Sequence, residues 1–435
     1  MDQKIAHKRW IRIIPPVMLI YIFAFMDRMN FGFAMAGGMN ESLDITASTA
    51  GLAAGVFFFG YLVLQIPGGH ISEKGHAKKF IALTILCWGG LSIATGFVTS
   101  ATQLLTLRFL LGVAEGGVWP AILVIISKWF PAEERARANA LFIMNINIAL
   151  LITGPVSGWI IQNYGWRNVF VVEGLISVLL ILVWWPLVDE SPAQAKWISA
   201  AERDYINTRV AAQERNVRAG GAPASYGALF TNSNFWRLTL FYLFFQVGDC
   251  GFMMWLPTIL KNLTREGMTL VGLLSAVPFL AAMAGLYLIA YYSDKSGKRR
   301  IFLAIPAICF AAAFILSVQT REIAMLSFAF LVICGLFHNA YNGVFWTLPP
   351  KLFTRDVCGG ATGFINGIGN LGGFIGPYLV GWIITRYGDM SYAIYALSGF
   401  LLAAFLLAVT SPRRIDDDAP QTASGSVTTP KERLV

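Results

Sequence analysis

Residues 13–36 read IIPPVMLIYIFAFMDRMNFGFAMA, and the fold turns on how this stretch is read. It is apolar and long enough to cross a bilayer, which takes about 20 residues as a helix. Asp27 and Arg28 sit in its middle, with Asn30 just beyond. An ionised side chain at the membrane centre costs roughly 2.5–3.5 kcal/mol on insertion scales, so such groups face a polar cavity or one another. Two of them side by side predict a helix lining a path for a charged species. The competing reading is a neutralising ion pair that only holds two helices together. A second acid–base pair at matching depth, described below, favours the path.

Working outward, the same kind of stretch recurs to the far end of the chain. Of 435 residues, 56% are hydrophobic and 13% charged, against about 25% charged in soluble domains. Apolar spans are expected at 12–37, 50–71, 80–99, 103–127, 139–161 and 168–188. Six more are expected at 235–259, 269–292, 301–319, 323–349, 357–384 and 391–410. The predicted fold is all-α and integral to the membrane, with twelve transmembrane helices in two pseudo-symmetric six-helix bundles. The domains are then 1–188, a linker at 189–234, a second bundle at 235–410 and a tail at 411–435. In the linker, Ser199 followed by Glu202 forms a capping-box signal, which predicts a surface helix of about a dozen residues. The polar tail is expected to be disordered.

The net charge of +9 belongs to loops. Lys74, Lys78, Lys79, Lys128, Arg135, Arg137, Lys295, Lys298, Arg299, Arg300, Lys351 and Arg355 fall on one side with both termini and the linker. The other side carries Arg167, Lys261, Arg265, Arg321 and Arg386. By the positive-inside rule the richer side faces the cytoplasm, so both termini are expected there and no nucleic-acid partner is implied. Five scattered cysteines give neither a metal-ligand spacing nor a disulfide framework. The first apolar stretch is too long and too charged for a cleaved signal peptide.

The halves repeat. GPVSGWIIQNYG (154–165) closes the fifth span and GPYLVGWIITRYG (376–388) the eleventh; EKGHAKK (73–79) follows the second and DKSGKRR (294–300) the eighth. Related halves in parallel predict a central cavity between them. Glu73, Lys78, Asp294 and Arg299 in those loops are candidate gating contacts, an acid accepting from a helix N-terminus or an arginine.

RFLLGVAEGGVWPAILVIISKWF carries the second pair, Arg108 and Glu115, two helical turns apart on one face. Acids and arginines together make a site whose sign depends on bound protons. A protonated acid leaves it positive and attractive to an anion. Asp27, Glu115 and Arg108 are therefore assigned to proton coupling. Arg28 is assigned to substrate, because a guanidinium fork matches a carboxylate. Tyr61, Asn30, Asn145, Asn342, Trp346 and Asn366 are candidate lining residues. Asp249 and His338 are possible extra titratable groups, and the glycines around Asp249 predict a helix break there. Glu173 is expected to be structural. No metal site or cofactor is expected.

The chain resembles the major facilitator superfamily, and within it the anion:cation symporter branch of hexuronate, galactonate, tartrate, phthalate and hydroxyphenylacetate permeases. FMDRMNFGFA (25–34), YLVLQIPGG (61–69), RFLLGVAEGGVWPA (108–121), KWFPAEERARANALF (128–142), GWRNVFVVEG (165–174), FWRLTLFYLFF and MMWLPTILK (235–261) carry the resemblance. It implies alternating access, with Asp27 and Glu115 as proton carriers, Arg28 and Arg108 in substrate binding and coupling, and Tyr61 and Asn366 at the substrate. Glu73 replaces the usual Asp of the loop motif. Phe25 and Ile146 stand where galactonate-type members have Tyr and Gln. With Phe31, Phe345 and Trp346, they turn the expectation toward a less hydroxylated or aromatic acid.

The expected function is a proton-coupled symporter for a small organic carboxylate in a bacterial inner membrane, working as a monomer on the proton gradient. The alternative is an anion exchanger without proton coupling, which has no use for two buried acids. No nucleotide loop, nucleophile motif or metal-spaced histidine cluster supports an enzyme.

Overall fold

The helices begin and end where the sequence supplies caps. Thr46, Ser100 and Asp389 accept backbone N–H bonds from Thr49, Gln103 and Ser391 at 3.2, 3.3 and 2.8 Å. Each satisfies a donor that the first helical turn leaves open. The computed structural model describes residues 8–218, 227–353 and 355–411. The expected tail falls almost wholly outside them.

Among the described residues, eleven helical stretches are long and apolar enough to cross a membrane. One of them, Ala47–Thr95, is 49 residues long, well beyond one crossing. It is interrupted at Gly75, whose φ of +89° breaks the helical path. Divided there, it supplies spans 2 (Ala47–Ile71) and 3 (Ala77–Thr95). The others follow in order: span 1 is Lys8–Ala34, span 4 Ala101–Trp129, span 5 Arg137–Tyr164 and span 6 Trp166–Leu187. Spans 7 to 9 are Ser233–Thr264, Met268–Ser296 and Arg299–Gln319. Spans 10 to 12 are Ala324–Phe345, Gly360–Tyr387 and Met390–Val409. Leu182, Tyr287 and Leu406 are among many large apolar side chains left exposed around the bundle, at 69%, 69% and 59%. Such a surface suits lipid rather than water.

Several spans are interrupted. Span 4 breaks at Gly117, span 10 after His338 and span 11 at Leu371. Span 7, where a break was expected, is continuous through Asp249. Its glycines serve packing instead: a Cβ on Gly248 or Gly251 would meet Leu401 or Leu397 of span 12 at 2.6 Å. The linker helix, Ala200–Arg218, is longer than expected, at 19 residues. Ser199 caps it by accepting from the Glu202 N–H at 3.2 Å. Glu202 does not reach back to complete the box. It holds buried Arg9 at 2.6 Å, and Arg9 also bonds Glu134 at 2.7 Å.

The loops that follow spans 2, 4 and 6 meet at one end of the first half. Lys128 reaches Ser72 O at 3.1 Å and Glu190 at 2.8 Å, and Glu190 also accepts from the Lys78 N–H at 2.7 Å. On the opposite face the two halves touch. Cβ atoms on Gly51 and Gly381 would strike Pro377 O and Ala47 O at 2.5 and 2.2 Å. Those on Gly158 and Gly272 would strike Met268 O and Gly154 O at 2.4 and 2.1 Å. Span 2 thus crosses span 11, and span 5 crosses span 8, backbone against backbone.

Candidate functional site

The centre of the first half is built around span 1. Neighbouring residues on a helix point about 100° apart, whereas residues three apart share a face. Asp27 and Asn30 therefore turn one way and Arg28 another. Asp27, fully buried, accepts a short hydrogen bond from Ser92 on span 3 and one from Asn30 Nδ2 at 3.4 Å. Asn30 also donates to Glu173 at 3.0 Å, and Glu173 accepts from Ser157 at 2.9 Å. A chain of Ser92, Asp27, Asn30, Glu173 and Ser157 links spans 3, 1, 6 and 5. It holds two buried acids and no cation.

Arg28 faces span 4 and bonds Glu115 at 3.1 Å. Its guanidinium lies over Tyr61 and Phe57, 4.8 and 4.9 Å from the ring centroids. Arg108 shares a helix with Glu115 yet does not pair with it. Its Nε donates to Ala53 O at 3.4 Å, and neither Nη finds an acceptor among the described residues. The fully buried guanidinium lies between Phe31 at 4.5 Å and Phe57 at 5.1 Å. Cation–π contact offsets part of its desolvation, but two donor groups remain aimed at no anion. An uncompensated buried cation is costly unless an anion completes it.

The second half supplies an aromatic and amide wall. The Tyr242 hydroxyl donates to Asn366 at 3.4 Å, and its ring stacks on Phe345 at 5.2 Å and meets Trp346 edge-on at 5.1 Å. Trp346 donates to Asn342 at 3.2 Å, and Asn342 donates to Asn339 through a short bond. Deeper in this half, His338 and Asp249 bond at 2.6 Å across spans 10 and 7.

Several sequence expectations change place. Asn30 gives its amide to Asp27 and Glu173. Glu173 is joined to Asp27 through Asn30 rather than packed alone. Arg28, not Arg108, is the partner of Glu115. Phe31, Phe345 and Tyr242 are buried, and Trp346 is half-buried. Asn145 donates to its own Phe142 O, and its Oδ1 has no partner among the described residues. Glu73 is exposed, and the acid that accepts from the helix N-terminus at Lys78 is Glu190. Arg299 bonds Thr347 within its own half, and Asp294 is exposed. Ser92, Ser157, Glu190 and Tyr242 escaped the sequence reading. For Glu173 there was a signal, an acid within an apolar span.

A family profile, Major Facilitator Superfamily, matches residues 17–377, with a further match over 267–433. The chain belongs to the major facilitator superfamily. A "Putative tartrate transporter" of Agrobacterium vitis is 31% identical over 430 residues, 97% of this chain and 98% of that one. "Inner membrane transport protein RhmT" of Escherichia coli K12 is 31% identical over 414 residues, 93% and 95% of the two chains. A solved bacterial homologue of the human lysosomal transporter Spinster superposes with a TM-score of 0.78 at 18% identity. That match covers 93% of this chain and 97% of the other. The protein is a multi-pass membrane transporter of this superfamily and not an enzyme.

Proposed function

We propose that the protein is a proton-coupled symporter that carries a small organic carboxylate inward across a bacterial inner membrane. The basic face and both termini then lie in the cytoplasm. The observation that carries the reading is Arg108: a fully buried guanidinium with both Nη groups unpartnered among the described residues, beside acids paired elsewhere. A carboxylate has the charge and the two-oxygen geometry to complete that fork. The relatives' tartrate and inner-membrane names agree with an organic anion and this membrane.

Charge arithmetic supplies the coupling. The centre of the first half, apart from the Arg9 cluster at the linker, buries three acids (Asp27, Glu115, Glu173) and two arginines (Arg28, Arg108). With every group ionised the sum is −3 + 2 = −1, which repels an anion. Protonating two acids gives −1 + 2 = +1, which attracts one. Loading protons and binding the carboxylate thus favour each other, and losing the protons favours release. Tyr61 on the first half, with Tyr242, Asn342, Trp346 and Asn366 on the second, contacts the remainder of the substrate. The Asp249–His338 pair ties span 7 to span 10 within the second half.

Proteoliposomes with an imposed inward proton gradient and a panel of sugar acids, hydroxy acids and aromatic acids test this. Uptake of an accepted acid should rise with the gradient and collapse with a protonophore. Uptake that ignores the gradient but responds to anion loaded inside would establish the exchanger instead.

A further inference from the structure

Two hydrogen bonds join the halves on the face opposite the basic loops. The Ser48 N–H of span 2 donates to Thr385 Oγ1 of span 11 at 2.8 Å. The Met268 N–H of span 8 donates to Gln162 Oε1 of span 5 at 2.7 Å. Both donors lie in the first turn of a helix, where the backbone N–H has no partner inside the helix. Neither is served locally. Thr46 caps Thr49 rather than Ser48, and Gly267, before Met268, has no side chain to offer.

The two acceptors occupy the same place in the internal repeat. Gln162 precedes Gly165 by three residues and follows Gly158 by four. Thr385 precedes Gly388 by three and follows Gly381 by four. Four residues is one helical turn, so each acceptor rides directly beyond a glycine crossing. Gly158 abuts span 8, and Gly381 abuts span 2. Each half therefore caps the helix of the other half at an equivalent point, and each cap exists only while the two halves touch there.

We infer that Gln162 and Thr385 are a matched pair of exchangeable helix caps that set how firmly the outer gate closes. The inference rests on the alternating-access reading above and adds the residues that position its closed state. Both side chains are exposed, so water takes their place when the halves part. Each bond then has the modest strength of a solvated cap, and the gate remains reversible. Such caps shift an equilibrium by about fivefold each, and two by about 25-fold.

Spin labels at Asn163 and Leu270, exposed residues on opposite halves of that face, report the gate by pulsed distance measurement in lipid. Thr385→Val and Gln162→Met remove the acceptors and keep the bulk. Together they should raise the ratio of open to closed populations by about 25-fold and speed hydrogen exchange at the Ser48 and Met268 amides. Thr385→Ser and Gln162→Glu, which keep an oxygen, should restore both. Unchanged distances and exchange in the double variant would overturn the inference, as would failure of the oxygen-bearing variants to restore them. The readout needs neither substrate nor a proton gradient. A lack of coupled transport would therefore leave this result standing, and an unmoved gate would leave the coupling test standing.

Discussion

Arg28 and Glu115 meet at 3.1 Å although 87 residues separate them, whereas Arg108, seven residues from Glu115 on the same helix, makes no such contact. One guanidinium is thereby committed to an acid, and the other has no acidic partner among the described residues. The division follows from packing. Span 1 presents Arg28 toward span 4, while the Arg108 guanidinium lies against Phe31 and Phe57.

Arg108→Lys keeps the charge but loses the fork. A charge-assisted hydrogen bond contributes about 1.5–3 kcal/mol, so the Kd for the accepted anion should rise by roughly 10- to 100-fold. The melting temperature should barely move, since no acidic partner is abandoned. Thermal shift with and without the anion measures both. Unaltered binding would remove Arg108 from the substrate site.

Glu115→Gln and Glu173→Gln each delete one titrating carboxylate. Glu115→Gln should abolish gradient-driven uptake while exchange between anion on the two sides persists. Glu173→Gln should leave uptake intact but flatten its dependence on external pH. Both are read by uptake and counterflow in proteoliposomes. A Glu173→Gln profile that superimposes on the parent would reduce Glu173 to a packing role.

His338→Ala strands Asp249. Removing one partner of a buried, bonded pair costs about 3–5 kcal/mol, so detergent-solubilised protein should melt several degrees lower. Replacing both residues with leucine should recover most of that loss, because a well-packed apolar pair needs no charge partner. A melting temperature unaffected by His338→Ala would show that the contact does not hold span 7 to span 10.

Asp389 caps span 12 outside the membrane segment. Hydrogen bonds from the Ser391 backbone and hydroxyl, assisted by Arg321, hold its carboxyl below the ordinary value of 3.8. A depressed folded pKa adds stability above the unfolded value and loses it as pH falls through the folded one. Asp389→Ala should therefore lower stability at neutral pH by about 1 kcal/mol. The gap to the parent should close below about pH 3.8. A pH series of melting curves checks it.

Span 1 shows how much was legible beforehand. Its length and apolarity announced a crossing, and Asp27 and Arg28 at its centre announced polar partners from other helices, since lipid offers none. The same logic found Arg108 and Glu115, and the repeat at 154–165 and 376–388 found the two halves. Glu73 shows the opposite. A loop motif placed an acid beside basic residues, but the bond to the Lys78 N–H goes to Glu190, which arrives from 112 residues away. Asn30 was assigned by depth alone, and depth does not say which side of a helix meets which neighbour.

Hydropathy and residue type, being local properties, were enough to announce a helical membrane protein with a repeated sequence and to single out its buried acids and arginines; transport rested on the resemblance to a family. Which acid answers which arginine, that Glu173 joins Asp27 through Asn30, and that Gln162 and Thr385 cap the opposite half were decided only in the folded bundle. Each of those contacts depends on the rotation and crossing of helices distant in the chain, and on a separation of a few ångströms that no spacing along one helix encodes.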